Sequence, residues 1–298
     1  MQGVRINFTI YHIQILILGL GENMNYKNGE LIRKTRQKRG MSQAKLGALI
    51  GSQSMVSRIE NNQTDPSDQT VLMLCDALMI TFEEYFYSIF DKKQSKLSAL
   101  ANQLEIIDHN NDGVMLDKLY VLTQSQSRSQ PDSLLNRHLF LMTKATKYHL
   151  KKQLAPHAIQ DELVDYFFDI ENWQYYDILL FSRIVYMVPV NRLSPYIKDI
   201  LNQYRQHELS THSERTLKKV INNLLEASVV QNNYTFTQHL INQLKSMAIL
   251  TDDLALQTWL LFWQGVILSD NTLIANAYQV TSILHQKSML KRFNKFIP

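Results

Sequence analysis

Glycine is scarce in this sequence and unevenly placed: of nine glycines in 298 residues, only Gly113 and Gly265 follow Gly51. A chain with so few Asn-Gly or Asp-Gly signals, and rich instead in Leu, Gln and Asn, has little means of closing tight hairpins and reads as helical rather than sheet-built. Proline is nearly as rare, with Pro66, Pro131, Pro156, Pro189 and Pro195 before the terminal Pro298. The single cysteine, Cys75, excludes an internal disulfide and any multi-cysteine metal site, and suits a reducing compartment. It is expected as a small core residue on the inner side of a helix, with Val71, Leu72 and Leu78. The nine histidines are scattered, without an H-E-x-x-H or comparable pairing, so neither a metal nor another cofactor is expected. Residues 113–298 show no nucleophile–base pair, phosphate loop or paired-carboxylate motif, which argues against an enzyme. The main apolar run, Ile13–Leu20, is interrupted by Gln14 and too short to span a bilayer, so no membrane role is expected.

What the sequence does have is a concentration of positive charge. Residues 24–60 carry Lys27, Arg33, Lys34, Arg36, Lys38, Arg39, Lys45 and Arg58 against only Glu30 and Glu60, so this short stretch exceeds the net +4 of the whole chain. A positive field focused on one small unit is what phosphate binding requires. Within it, MSQAKLGALIGSQSMVSRIE reads as a helix-turn-helix. One helix starts at Gln43 behind the N-cap Ser42 and turns Leu46, Leu49 and Ile50 inward. Gly51 breaks it. The next opens behind Ser52 and displays Gln53, Ser54, Ser57 and Arg58 outward, while Val56 and Ile59 pack back.

These residues carry a resemblance. The Ser42–Gln43 helix start, the small Gly47, the stretch from Gln53 to Asn62 and Pro66 make residues 27–90 similar to the Cro/C1-type XRE family, the five-helix fold of the lambdoid phage repressors. By position, the resemblance implies that Gln53, Ser54 and Arg58 read base edges, and that Gln43 contacts phosphate or braces the first reading residue. It also implies a structural salt bridge between Arg36 and Glu60. Side-chain chemistry agrees with the reading roles, since Gln pairs with adenine and Arg with guanine in bidentate fashion. Two departures are visible: Ser52 follows Gly51 directly, one residue short of the usual turn, and Thr35 stands where the family's first helix has a leucine.

The domain at 24–90 leaves about 200 residues, enough for a second domain. Residues 91–112, with Leu97, Leu100, Leu104 and Ile107 at helical spacing, read as a linker helix. Helix-length segments follow at about 113–126, 131–152, 156–170, 173–187, 190–206, 213–230, 234–249, 252–268 and 271–292, with Asp132, Ser194, Thr211 and Asp252 near their openings. Paired antiparallel helices of this length predict an α-solenoid of divergent, tetratricopeptide-like pairs over 113–298, which makes the chain all-α. Residues 1–23 form a separate expectation. Gly21-Glu22-Asn23-Met24 can encode a purine-rich ribosome-binding sequence before an ATG, so translation is expected to begin at Met24.

The stretches Ile170–Pro189 and Val220–Leu244 resemble the corresponding helices of the Rgg/GadR/MutR regulators, and their order behind the DNA-binding module extends that resemblance from Met24 over nearly the whole chain. The resemblance implies a cytoplasmic, homodimeric transcription factor of quorum-sensing type. Its two heads would meet a pseudo-palindromic site in double-stranded DNA, and its repeat domain would receive a short imported signalling peptide. Asn222 and Asn223 are the candidates to pair with an extended peptide backbone, with Arg183 and Gln264 on neighbouring inner helices. Trp173, Tyr176, Phe181, Trp259 and Trp263 read as core or helix-pair contacts. Helices after Asn271, with Tyr278, Ile283, Leu284 and Leu290, could form the dimer surface or cap the solenoid. The alternative is a peptide-independent repressor whose helical domain serves dimerisation or protein partners.

Overall fold

The computed structural model describes residues 28–89, 96–247 and 253–297, so the segment expected to precede the start at Met24 lies outside them. The described residues contain sixteen helices and no strand. They fall into two compact units divided after Lys96.

The first unit holds five helices: α1 (Asn28–Lys38), α2 (Gln43–Ile50), α3 (Gln53–Glu60), α4 (Asp68–Leu78) and α5 (Phe82–Ile89). Its core gathers Ile32, Leu46, Ile50, Val56, Ile59, Val71, Leu74, Cys75, Leu78 and Tyr85. Val56 and Ile59 face inward as their spacing predicts. Leu49 and Leu72 do not: they are 52% and 53% exposed. Gly47 and Leu74 take the inner positions expected of these two leucines, because each helix presents only a narrow stripe to so small a core. Thr35 is half-buried on α1. Close approach of α2 to α3 depends on Gly47, where a Cβ would sit 2.4 Å from the Gln53 backbone nitrogen. Gly51 then turns the chain at φ 141°, a conformation that side chains oppose. Ser42 and Ser52 each accept a hydrogen bond from the backbone N–H three residues on, and so fix where α2 and α3 begin.

The second unit is built from α6 (Lys96–Asn110), α7 (Gly113–Ser129), α8 (Leu134–Lys151), α9 (His157–Phe168), α10 (Tyr175–Ile184), α11 (Val190–Arg205), α12 (Thr211–Val230), α13 (Tyr234–Lys245), α14 (Leu254–Leu268), α15 (Asn271–Ile283) and α16 (Lys287–Phe293). Successive helices pack from α7 to α8 and from α11 through to α16, and helices two apart pack as well: α8 on α10, α9 on α11, α10 on α12, and α12 on α14. Contact between helices two apart is the signature of stacked helix pairs, with the even-numbered helices forming one row. α10 and α12 are covered from both sides. Hence Ile178, Leu179, Leu180, Phe181 and Ser182 are buried in succession rather than in an amphipathic stripe.

Three sequence expectations change here. From Leu97 onward, the expected linker belongs to the second unit, with Leu97, Leu100, Leu104 and Ile107 all buried. The segment expected as one helix over 271–292 breaks after Ile283, where His285 adopts φ 53° and α16 starts afresh. Ser194 lies inside α11 rather than at its start, since Pro189 supplies the N-cap. At the other openings the caps are Ser133, Ser210 and Asp253, each one position from the residue expected.

The glycine shortage has a structural counterpart. Among the described residues, Asn62, Met79, Asn111, Lys152, His207, Asn232, Ser269 and His285 adopt positive φ, mostly where a helix ends and glycine is the usual choice. The last inner helix also returns to the first, as Lys291 Nζ donates to the His109 carbonyl at 3.0 Å.

Candidate functional site

The α2–α3 surface is assembled by one buried carboxylate. Arg36 Nε and Nη2 grip Glu60 Oε1 and Oε2 at 2.5 and 2.9 Å, and Arg36 Nη1 also donates to the Met41 carbonyl at 2.6 Å. Gln43 Nε2 donates to Glu60 Oε2 at 2.8 Å. Burial alone would raise the Glu60 carboxyl, but the hydrogen bonds from Arg36 and Gln43, with the guanidinium charges beside them, hold it below the usual carboxylate range. One ion therefore ties α1, α2 and α3 into a fixed relationship.

This arrangement changes how the basic residues are understood. Arg33 is spent on the Glu60 carbonyl and Asn61 Oδ1, and Arg39 closes the end of α4 by donating to the Leu78 and Met79 carbonyls. Lys34 pairs with Glu30. Lys38, Lys45 and Arg58 have no carboxylate partner among the described residues. Gln53, Ser54 and Arg58 are exposed, and Ser57 is half-buried, along the outer face and opening turn of α3. Ser52 is committed as the cap, bonding Met55 N–H and Ser54 Oγ, and Gln43 braces Glu60 rather than standing free. The surface offers an exposed polar helix start flanked by uncommitted cations, the chemistry of a helix that enters a major groove.

A second site lies wholly within the second unit. The inner helices α6, α8, α10, α12 and α14, with α16, surround a cavity of about 370 Å³. Glu226 sits in its wall, 3% exposed, and accepts from His149 Nε2 at 3.3 Å, from the Tyr186 hydroxyl at 3.2 Å and from Arg292. Burial opposes ionisation, yet the Arg292 charge and the His149 hydrogen bond hold the carboxyl down at about 2. Arg292 Nη2 also reaches the Tyr186 hydroxyl at 2.9 Å and Asn223 Oδ1 at 3.2 Å.

Three of the four residues proposed from sequence for peptide contact line this cavity, but each is already engaged. Arg183 binds Asp108 Oδ2 at 2.6 Å and the Ala101 carbonyl at 2.7 Å. Asn223 donates to the Ser182 carbonyl, and Asn222 Oδ1 accepts from Trp263 Nε1. Gln264 is not part of the lining. Trp173, Phe181 and Trp263 are core residues, Tyr176 bonds His138, and Trp259 lines the cavity. Sequence reasoning missed Glu226, His149, Tyr186 and Arg292. A signal existed for Glu226, an acid one helical turn beyond Asn222 and set between the apolar pairs Leu224–Leu225 and Val229–Val230. Arg183–Asp108, Lys219–Glu105 and Arg292–Glu226 pair off, and Lys291 and Lys295 add further positive charge to the lining.

The fold and the α2–α3 surface define a helix-turn-helix DNA-binding protein that carries a larger helical domain. The comparisons agree: a helix-turn-helix family model matches residues 32–85, and the model described as the C-terminal domain of the HTH-type transcriptional regulator Rgg matches residues 119–295. The chain belongs to the Rgg family of transcriptional regulators, a family of regulators rather than enzymes. Its fold is similar to the SHP pheromone receptor Rgg2 of Streptococcus dysgalactiae, at 19% identity and TM-score 0.68, covering 90% of this chain and 97% of that one. A putative transcriptional regulator from Listeria monocytogenes EGD-e matches at 15% identity and TM-score 0.71, covering 91% and 98%. PrgX from its cCF10 complex matches at 16% identity and TM-score 0.68, covering 91% and 98%. Among the described residues no helix is long and apolar enough to cross a membrane.

Proposed function

We propose that this regulator acts in the cytoplasm as a homodimer and responds to a short signalling peptide held in the cavity of its second unit. The observation that carries the reading is the cavity itself, about 370 Å³ and lined along the inner helix row, in a chain whose fold is shared with named pheromone receptors. Gln53, Ser54 and Arg58 supply base reading, and Lys38 and Lys45 supply phosphate affinity on a pseudo-palindromic operator with half-sites about one helical turn apart. Lys291 and Lys295 suit a peptide that brings a carboxylate to the cavity. Response requires the peptide to bind one arrangement of the dimer better than another.

A plain repressor is the second reading, and the internal engagement of Arg183, Asn222 and Asn223 is the observation that favours it. Binding of the purified full chain to the DNA flanking its own gene, footprinted with and without short apolar peptides encoded nearby, separates the two. A footprint that one peptide alters supports the peptide regulator. A footprint indifferent to every peptide establishes the plain repressor.

A further inference from the structure

Behind the main cavity lies a smaller one of about 160 Å³, and His149 and Tyr186 line both. Their rings stack at 3.7 Å between centroids and 15° between planes, so this pair is the wall that divides the two spaces. Glu226 holds the wall from one edge through both residues. Beyond it the smaller cavity is walled by Leu154, Ala227 and Val230, while Gln231 spends its amide on Val190 N–H and the Val188 carbonyl. Tyr148 and the exposed Lys152 and Gln153 complete its lining, so an apolar patch of Leu154, Ala227 and Val230 faces polar groups, and its volume is close to the roughly 150 Å³ that accommodates one benzene ring.

His149 adds a second observation. Its Nδ1 is buried and has no hydrogen-bond partner among the described residues. Glu226 engages Nε2, so Nδ1 is the ring atom left to a ligand. A buried polar atom without a partner is costly, and the backbone amide of a bound chain, which offers both a donor and an acceptor, would satisfy it.

We propose that the ligand site continues past the His149–Tyr186 wall: one apolar side chain of the peptide enters the smaller cavity, and a backbone amide group beside it hydrogen-bonds His149 Nδ1. The subsite rests on the peptide reading above and makes it more specific, since it assigns the ligand an aliphatic or aromatic residue at one fixed position. Neighbouring residues of the peptide stay in the main cavity.

The test uses the full chain and pools of synthetic octapeptides in which one position at a time is fixed as Leu or Ala, with binding read by affinity selection and mass spectrometry. For the unaltered protein, one position is expected to favour Leu over Ala at least about tenfold, the scale at which an apolar pocket discriminates missing carbons. Filling the smaller cavity from two different walls, with Val230→Trp and separately Leu154→Trp, is expected to bring that ratio close to one. A cooperative thermal melt identifies which variants have folded, and one folded variant suffices. The subsite is overturned if pools bind but no position shows the preference, or if the preference persists in a folded variant. If no pool binds the unaltered protein, the peptide reading itself falls and the subsite with it.

Discussion

The Glu226 carboxylate and the Arg292 guanidinium, 66 residues apart in sequence, are paired inside the cavity wall and join α12 to α16. Removing the acid alone leaves a half-buried cation against Tyr186 and Asn223. Glu226→Gln is expected to cost about 3–5 kcal/mol, the usual result of breaking one side of a buried pair. Urea unfolding of the variant would measure it. A loss below about 1 kcal/mol would show that the pair behaves like a solvated one.

Acid is expected to destabilise the protein in two windows. Burial holds the His138 imidazole down at about 4, so between its ordinary 6.5 and about 4 the unfolded chain takes up a proton that the folded protein refuses, and stability falls as pH falls. Glu226, held down at about 2 from 4.5, contributes stability that is present above 4.5 and lost as pH drops toward 2, on the order of 3 kcal/mol. Melting temperature followed from pH 7 to pH 3 should decline in both windows, and His138→Gln should flatten the upper one.

Arg58 and Arg36 are expected to fail differently. Arg58→Ala should leave the first unit folded, cost about 1–3 kcal/mol of operator binding and relax preference at one base pair. Arg36→Ala leaves Glu60 with Gln43 and the more distant Arg33, and should unfold the unit, abolishing DNA binding for a structural reason. Circular dichroism beside base-by-base binding distinguishes them. Unchanged base preference in Arg58→Ala would remove that residue from the reading surface.

His207 is exposed and holds φ 59°. His207→Gly removes the clash between Cβ and backbone in the left-handed region and is expected to stabilise the protein by about 1 kcal/mol. A rise of about 2–4 °C in the melting of the second unit would register it.

The DNA-binding unit was legible at residue level because its determinants are local: Ser42 and Ser52 mark helix starts, and Gly47 and Gly51 fix the close approach and the break between them. What charge counting could not show was that Arg33, Arg36 and Arg39 work inside the unit, since their partners are Glu60 and backbone carbonyls brought near only by folding. The solenoid was legible from helix lengths and spacings. Its cavity was not, because each helix supplies only a few lining residues and they meet from positions between 101 and 295. His149, Tyr186 and Arg292 have ordinary neighbours in sequence, and nothing local marks them. The break before α16 was hidden for a related reason: His285 takes a glycine-like conformation without being glycine.

Stacked helix pairs ordinarily behave as an open spring, each turn touching only the next, so that an end can fray without disturbing the middle. The bond from Lys291 to the His109 carbonyl, 182 residues away, bends that spring into a hoop, and Arg292 fastens it beside the same point. A hoop gains its last contacts only when its final segment arrives. During synthesis the inner row must therefore wait, unclosed, until α16 has left the ribosome, and maturation of the whole domain is timed by the arrival of that helix.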